Sequence, residues 1–459
     1  MLAKLKELIE GKSVCVLGFG SEGQSTYHTI RKISKDIVIT IADSDASLIF
    51  NLPFLNADMN INFHGGNDYL SILDRFDVIF KTPGITLKQL NDPEVTDKIT
   101  SQAEVFIESY RNNIIGITGT KGKSTTASLL YHILKNAGKE CVLVGNIGLP
   151  PFESLEDIKG DTVIVYELSS HQLESLRVSP HIAIILNFFQ EHLDHYNSYE
   201  DYKNAKMNIA KYQYSDDILI YNDENEELVQ NINNELLNSK KFTVCLNRND
   251  DCNAFSELNA LVLRTDKQEV RLNTIESIQL KGEHNLINCL VAALACMLKG
   301  LDDQDIKNGL SSFEGLKHRI EFIGKYGGVN FYNDSIATIP QACMEAIKTI
   351  GNVEFLILGG VDRGIDYSYL MSFLSKISIN NILCIGKAGE RIYKLMNEIN
   401  HQSNTQQFDT FEDIFTYIKL TAKDGDTCLL SPAAASYDMF KNFEERGDKF
   451  TELAKTFAD

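Results

Sequence analysis

A lysine and a serine close a glycine-rich turn, Gly119-Thr120-Lys121-Gly122-Lys123-Ser124-Thr125, and these residues are the best equipped for chemistry in the chain. The N–H groups of such a turn can cradle a triphosphate, the Lys123 ammonium can meet its outer oxygens, and the Ser124 hydroxyl can reach Mg²⁺. The usual phosphate-loop spacing needs glycine at position 117, where this chain has Ile117, so the turn is a variant. A second turn, Gly18-Phe19-Gly20-Ser21-Glu22-Gly23, fits the dinucleotide pattern, and Asp43 lies about 20 residues on, as that pattern asks. Taken alone it is open to three readings: NAD or FAD, another nucleotide diphosphate, or only a tight turn.

Carboxylates and bases follow in order. Glu167 sits at the end of an apolar run, Thr162–Tyr166, where a Mg²⁺ ligand facing the phosphate loop belongs. Asn187 ends the run Ile182–Leu186, then come Glu191, His192, Asp194 and His195, and further on Lys206. Each residue taken singly reads as a cap, a core hydrogen bond or a surface charge, and Lys206 as a solvated helix lysine. It is their order that argues for a site.

The elements that must position these groups read as α/β throughout, with mostly parallel sheets. The first unit is Val14–Leu17, a glycine turn, a helix, and a strand over Ile37–Ile41. A second starts afresh at Ile114–Ile117, and its helix carries Leu129, Leu130, Ile133 and Leu134 on one side with Gly138 placed as a cap. Further strands are expected near Phe331, at Phe355–Leu358, Ile382–Ile385 and Cys428–Leu430. A chain of 459 residues suggests about three domains, and we place their boundaries near residues 102 and 315.

Composition narrows the function class. A net charge of −19 disfavours a nucleic-acid or anionic-membrane surface, so anion sites must be local. Met1–Glu10 is charged and amphipathic, not a signal peptide, and no apolar run approaches the roughly 20 residues of a spanning helix. Nine scattered cysteines without a CxxC pair favour free thiols in a reducing cytoplasm over a disulfide frame or a zinc site.

The Gly119–Ser124 loop resembles that of the Mur ligase and folylpolyglutamate synthetase superfamily. The resemblance continues through Glu167-Leu168-Ser169-Ser170 with Gln172-Leu173, the Glu191–Asp194 stretch, Lys281–Asn285 with Asn288, Gly315–Arg319, Asn333-Asp334-Ser335 and Leu358-Gly359-Gly360. It is weakest over residues 220 to 280. The C-terminal run Leu430–Asp438, with Phe440–Phe443 and Arg446-Gly447, is similar to the glutamate-adding branch of the Mur ligases.

That resemblance implies an N-terminal Rossmann-like substrate domain (1–102), a central ATPase domain with a P-loop-type parallel sheet (103–314) and a C-terminal Rossmann-like amino-acid domain (315–459). It implies glutamate addition to UDP-N-acetylmuramoyl-L-alanine, lead acceptor D-glutamate, with ATP, two Mg²⁺ and a carbamylated Lys206. Lys123, Glu167, His192 and Lys206 would be catalytic; Ser124, Glu167, His192 and Lys206 would hold metal. ATP would meet Gly119–Thr125, Asn285, Asn288, Arg319 and Asp334. The other substrates would meet Gly18, Gly20, Ser21, Asp43, Thr82, Asn146, Ser169, His318, Thr338, Arg363, Ser436 and Phe443. A cytoplasmic monomer with small-molecule substrates is expected, with neither nucleic acid nor membrane as partner.

The chain departs from the branch at one place that matters. Glutamate-adding enzymes read Asp-Ser-Lys-Ala-Thr-Asn where this chain reads Asp334-Ser335-Ile336-Ala337-Thr338-Ile339-Pro340. Ile336 cannot bind the carboxylate that the family's lysine binds, a contact worth about 1.5–3 kcal/mol. Either Arg363 substitutes or the acceptor is held differently, which leaves L-glutamate open as the acceptor. Lys121, where asparagine is common, and Asp45, where arginine is frequent, are smaller departures. Another amino-acid ligase of the superfamily, a NAD-dependent dehydrogenase and a catalytically dead regulator are the rival readings.

Overall fold

The computed structural model describes the chain except for residues 87, 89, 91, 147–149, 192–194, 266–267, 273–274, 281, 363, 399–402 and 458–459. His192 and Arg363, both expected in the site, are therefore outside the described residues. Among the described residues the strands form three sheets.

In the first, Val14–Leu17 (β1), Ile39–Asp43 (β2), Ile61–Gly65 (β3), Val78–Lys81 (β4) and Ile99–Thr100 (β5) run parallel in the order β3-β2-β1-β4-β5. β1 is buried along its whole length, as a strand covered on both faces must be, which is why it reads as an unbroken apolar run. The strand expected over 37–41 begins two residues later. The Ile37 carbonyl accepts instead from the Arg31 guanidinium at 2.7 Å.

The second sheet holds Ile114–Thr118 (β6), Cys141–Gly145 (β7), Val163–Glu167 (β8), Ile182–Ile185 (β9), Ile218–Asn222 (β10), Lys240–Asn247 (β11), Ala254–Glu257 (β12), Ala260–Arg264 (β13) and Glu269–Leu272 (β14). Its order is β14-β13-β12-β11-β10-β9-β6-β8-β7. β7 through β12 are parallel across that order, but β13 and β14 add an antiparallel edge. This edge extends the expected parallel sheet, and it falls in the stretch 220–280 where the motifs thin out. The helix Lys123–Asn136 leaves the phosphate loop with Leu129, Leu130, Ile133 and Leu134 buried, the stripe read from the sequence. It ends at Gly138 (φ +70°), with Gly138 N–H on the Lys135 carbonyl and Lys139 N–H on that of Leu134, a Schellman closure.

The third sheet contains Glu321–Tyr326 (β15), Val329–Asn333 (β16), Phe355–Gly359 (β17), Asn381–Ile385 (β18), Asn404–Phe408 (β19) and Thr427–Leu430 (β20), ordered β15-β16-β20-β17-β18-β19. It is parallel apart from β15.

By packing, the chain divides into two compact units, Met1–Phe313 and Glu314–Asp459. Within the first, one apolar cluster joins residues of both sheets, from Val14 and Val16 of β1 to Ile164 and Tyr166 of β8. No described helix is long and apolar enough to cross a membrane.

The expectation of nine free thiols needs correction. Cys245 and Cys252 are paired in a disulfide, while the other seven cysteines are free and buried. The chain doubles back between β11 and β12 and brings the two Cα atoms, seven residues apart in sequence, to 6.2 Å, a spacing that a search for CxxC passes over.

Candidate active site

The phosphate loop bridges the end of β6 and the helix behind it. Gly119 (φ +150°) and Gly122 (φ +85°) take backbone conformations that side chains rarely adopt. Space forbids side chains there as well: a Cβ at 119 would stand 2.9 Å from Leu186 Cβ, and one at 122 would stand 2.7 Å from Asn288 Oδ1. Asn187, just past β9, holds the loop from the next strand. Its Oδ1 accepts from Thr120 N (3.1 Å) and Lys121 N (2.8 Å), and its carbonyl accepts from Thr120 N at 3.0 Å.

Two lysine nitrogens converge on one carbonyl. Lys123 Nζ donates to Gly119 O at 2.9 Å and to Thr120 O at 3.0 Å, and Lys206 Nζ donates to Gly119 O at 2.8 Å. Lys206 lies on the helix Tyr199–Lys211, capped by Ser198, and is 1% exposed. Burial, reinforced by the charge of Lys123, pulls its ammonium well below the usual lysine range, with Glu191 and Glu167 opposing. Lys121, by contrast, is exposed and pairs with Glu191.

Glu167, the last residue of β8, is fully buried. Its Oε1 accepts from Ser124 Oγ (3.2 Å) and Asn146 Nδ2 (3.0 Å), whereas its Oε2 has no hydrogen-bond partner. A buried carboxylate oxygen left unsatisfied is costly in an isolated protein and is the feature expected of a cation ligand. Among the described residues Ser124, Glu167, Lys123 and Lys206 thus gather at the loop. Asn288 reaches it from the helix Glu283–Leu298, where Asn285 Oδ1 accepts from Asn288 Nδ2 at 3.2 Å.

The first glycine turn opens a cavity of about 620 Å³. Gly18, Gly20, Ser21, Asp43, Thr82, Asn146 and Ser169 all line it, so every substrate residue expected from the first two domains meets in one space. Asn146 both lines this cavity and bonds Glu167, which puts the cavity directly beside the phosphate-loop carboxylate. Asp43 braces the turn, its Oδ2 accepting from Phe19 N at 2.7 Å. Glu22 and Gln172 also line the cavity and are bonded to each other (2.6 Å). Burial raises the Glu22 carboxyl above its usual range.

Beneath the Thr82–Ile85 loop lies a buried cluster that the sequence reading did not single out. Lys81, 3% exposed, pairs with Glu174 at 3.2 Å and donates to Ile85 O at 2.9 Å; His195 Nε2 meets the same Glu174 oxygen at 3.2 Å. A lysine closing a strand of otherwise apolar residues, Val78-Ile79-Phe80-Lys81, was the available signal.

In the C-terminal unit Asp334 is buried, accepting from Ser431 Oγ (2.7 Å) and Ile320 N (3.2 Å). Burial pushes its carboxyl up to about 7. Arg319 Nε is buried without a partner. His318 adopts φ +61°, bonds Asn333 Nδ2 at 3.0 Å and faces the Phe443 ring at 6.3 Å. Ser436 is buried after β20, and Thr338 is half-buried in the loop that follows Ile336. Arg446 binds this region together: it donates to Ser335 Oγ (3.0 Å), Ser335 O (2.7 Å) and Ala434 O (3.0 Å). It is 1% exposed, and burial draws its guanidinium down to about 10. The sequence showed Arg446 only as part of a motif, without this role.

Comparison with known proteins agrees with this architecture. The Mur ligase middle domain matches residues 117–296, and the Mur ligase glutamate ligase domain matches 318–434. The chain is 32% identical over 99% of its length to the UDP-N-acetylmuramoylalanine–D-glutamate ligase of Acetivibrio thermocellus, covering 98% of that protein. It is 30% identical to the protein of that name from Ruminiclostridium cellulolyticum, over 98% of both chains. The chain belongs to the Mur ligase family. Within the family these relatives place it in the glutamate-adding branch. Solved Mur ligases share its fold: MurF from Acinetobacter baumannii (TM-score 0.58, 15% identity, 99% of this chain and 98% of that one) and UDP-N-acetylmuramate-alanine ligase MurC from Thermotoga maritima (0.55, 18%, 97% and 99%).

Proposed function

We propose that this Mur ligase joins D-glutamate to UDP-N-acetylmuramoyl-L-alanine in peptidoglycan synthesis, with ATP cleaved to ADP and phosphate. The observation that carries the reading is the Lys123 loop set against a buried Glu167 with one unsatisfied oxygen. It occurs in a chain whose full-length relatives are named as ligases of this kind. The γ-phosphoryl group of ATP passes to the alanine carboxylate, the glutamate amine attacks the resulting acyl phosphate, and phosphate leaves. Lys123 and the loop N–H groups hold the phosphoryl oxygens, and Asn146 spans the interval between the Glu167 carboxylate and the nucleotide-sugar cavity.

The donor set fits Mg²⁺, because Ser124 and the free Glu167 oxygen are hard oxygen ligands. Ser124 and Glu167 would hold one ion, His192 and carbamylated Lys206 the other. When bound, the ions neutralise charge on the transferring phosphoryl group. Carbamylation needs a neutral amine, a form that the depression of Lys206 favours: its nitrogen adds to CO₂, a proton leaves, and an anionic oxygen ligand takes the place of the amine.

On this reading Gly18, Gly20, Ser21, Asp43 and Thr82 hold the uridine diphosphate. His318, Thr338, Ser436 and Phe443 face glutamate, with Arg363 standing in for the lysine absent at Ile336. Arg319 and Asp334 meet ATP. The division at 102 and 315 then separates three functional domains, and the enzyme works as a cytoplasmic monomer.

The test offers D- and L-glutamate side by side with UDP-N-acetylmuramoyl-L-alanine and ATP. D-glutamate is expected to prevail. A preference for L-glutamate overturns the stereochemical part, and incorporation of neither isomer overturns the branch-level function.

A further inference from the structure

One cluster of ligating side chains lies outside both sites. Cys245 is on β11, and Cys252 lies in the turn before β12. Asp223 follows β10 directly, and its Oδ2 lies 4.0 Å from Cys245 Sγ. One carboxylate oxygen and two sulfurs fall within 4.8 Å of one another. The placement follows from register: β10 and β11 run parallel with Asn222 opposite Val244, so Asp223, just past the end of β10, comes beside Cys245 within β11.

Both cysteines are buried and Asp223 is half-buried, and among the described residues Asp223 makes no ion pair with a lysine or arginine. Glu224 and Asp251 stand near it. A structural disulfide has no need of a carboxylate beside it. Two thiols and a carboxylate among further acids make a donor set for a borderline-soft divalent cation, which is bound by thiolate sulfur at about 2.3 Å and carboxylate oxygen at about 2.0–2.2 Å.

We propose that Asp223, Cys245 and Cys252 form, in the reduced protein, a three-ligand site for a zinc-class divalent cation, with the disulfide as the alternative state of the same pair. The cation would tie the end of β10 to the β11–β12 connection. The tie lies close to the loop support: Asn225, two residues from Asp223, accepts from Phe188 N at 3.1 Å, and the preceding Asn187 holds the phosphate loop. Binding to the two thiols releases two protons. A small disulfide reverses it: the two thiolates pass two electrons to the oxidant and form the Sγ–Sγ bond. The oxidant's S–S bond breaks, its halves take up two protons and leave as thiols, and the cation is released.

The test titrates the full chain, reduced with a dithiol and freed of metal, with Co²⁺ as a spectroscopic stand-in for zinc. The expected result is a thiolate-to-cobalt charge-transfer band that saturates at one Co²⁺ per chain and is displaced by Zn²⁺. Oxygen ligands of the Mg²⁺ type cannot produce that band. Treatment with oxidised glutathione should abolish it and the dithiol restore it, a comparison that needs no variant. Cys245→Ser and Cys252→Ser should each lose the band, and Asp223→Asn should weaken Co²⁺ binding about tenfold or more. A reduced wild-type chain without the band, a band persisting in both serine variants, or unchanged affinity in Asp223→Asn would each overturn the proposal.

Discussion

The two glycine turns solve the same backbone problem and differ in what surrounds them. At Gly18–Gly23 the neighbours are acids: Asp43 occupies the Phe19 N–H, and Glu22 is bonded to Gln172. At Gly119–Ser124 the Lys123 ammonium and the Lys206 nitrogen share the Gly119 carbonyl, and Glu167 offers an unsatisfied oxygen beyond Ser124. Backbone N–H groups suffice to grip a finished diphosphate. Moving a phosphoryl group requires charge that is already in place and cannot relax away, and the second turn places the Lys123 ammonium within the loop itself.

The largest expected effects test that contrast at the second turn. Lys206→Ala should be nearly inactive, and short carboxylic acids that refill the space of the carbamate should restore part of the activity. Failure of every such acid to rescue, measured by phosphate release, would count against the anionic role. Lys123→Ala should lower ligation by at least about 10²-fold, the usual loss when one preorganised charge is removed. Near-normal turnover would show that the loop's cation is dispensable and erase the difference between the turns.

A paired experiment sharpens the comparison with smaller effects. Gly18→Ala and Gly122→Ala both force a Cβ into a positive-φ position, worth roughly 1–2 kcal/mol of strain, or about tenfold in an affinity. At 18 the Cβ would meet Thr82 Oγ1 at 2.1 Å, and at 122 it would meet Asn288 Oδ1. Gly18→Ala should raise the KM for the nucleotide sugar and spare that for ATP; Gly122→Ala should do the reverse. If both variants move both constants equally, the turns do not serve separate ligands.

The last effect is on stability rather than turnover, and it lies outside both turns, in the C-terminal unit. The folded Asp334 carboxyl is raised from 3.8 to about 7, so folding favours its protonated form. Its stabilising contribution is complete below about pH 4 and is lost as pH rises through about 7, on the order of 4 kcal/mol at most. Asp334→Asn should flatten that part of the stability-against-pH curve, read from melting temperatures. A curve of unchanged slope would mean that Asp334 does not titrate in this window.

Much of this was legible in the residues. Strand, glycine turn and helix are local signals, and β1, β6 and the helix Lys123–Asn136 lie where apolar periodicity put them. The order Lys123, Glu167, Lys206 identified the family because the chemistry needs those types at strand ends and on one helix. The antiparallel edge β13–β14 was not read from the motifs, although β12 and β13 are joined by only two residues, a connection that antiparallel strands alone allow.

What the sequence by itself determined is therefore the set of elements, the two turns and the cast of reacting groups, all of which are encoded over a few residues. Tertiary structure alone decided how they converge. Lys206 meets Gly119 across 87 residues, Asn187 reaches back 67 residues to Thr120, and Arg446 ties Ser335 across 111. Lys81 finds Glu174 on the same footing. Each of these contacts depends on the register of one strand against another and on burial that removes competing water, and neither is written in any single segment of chain.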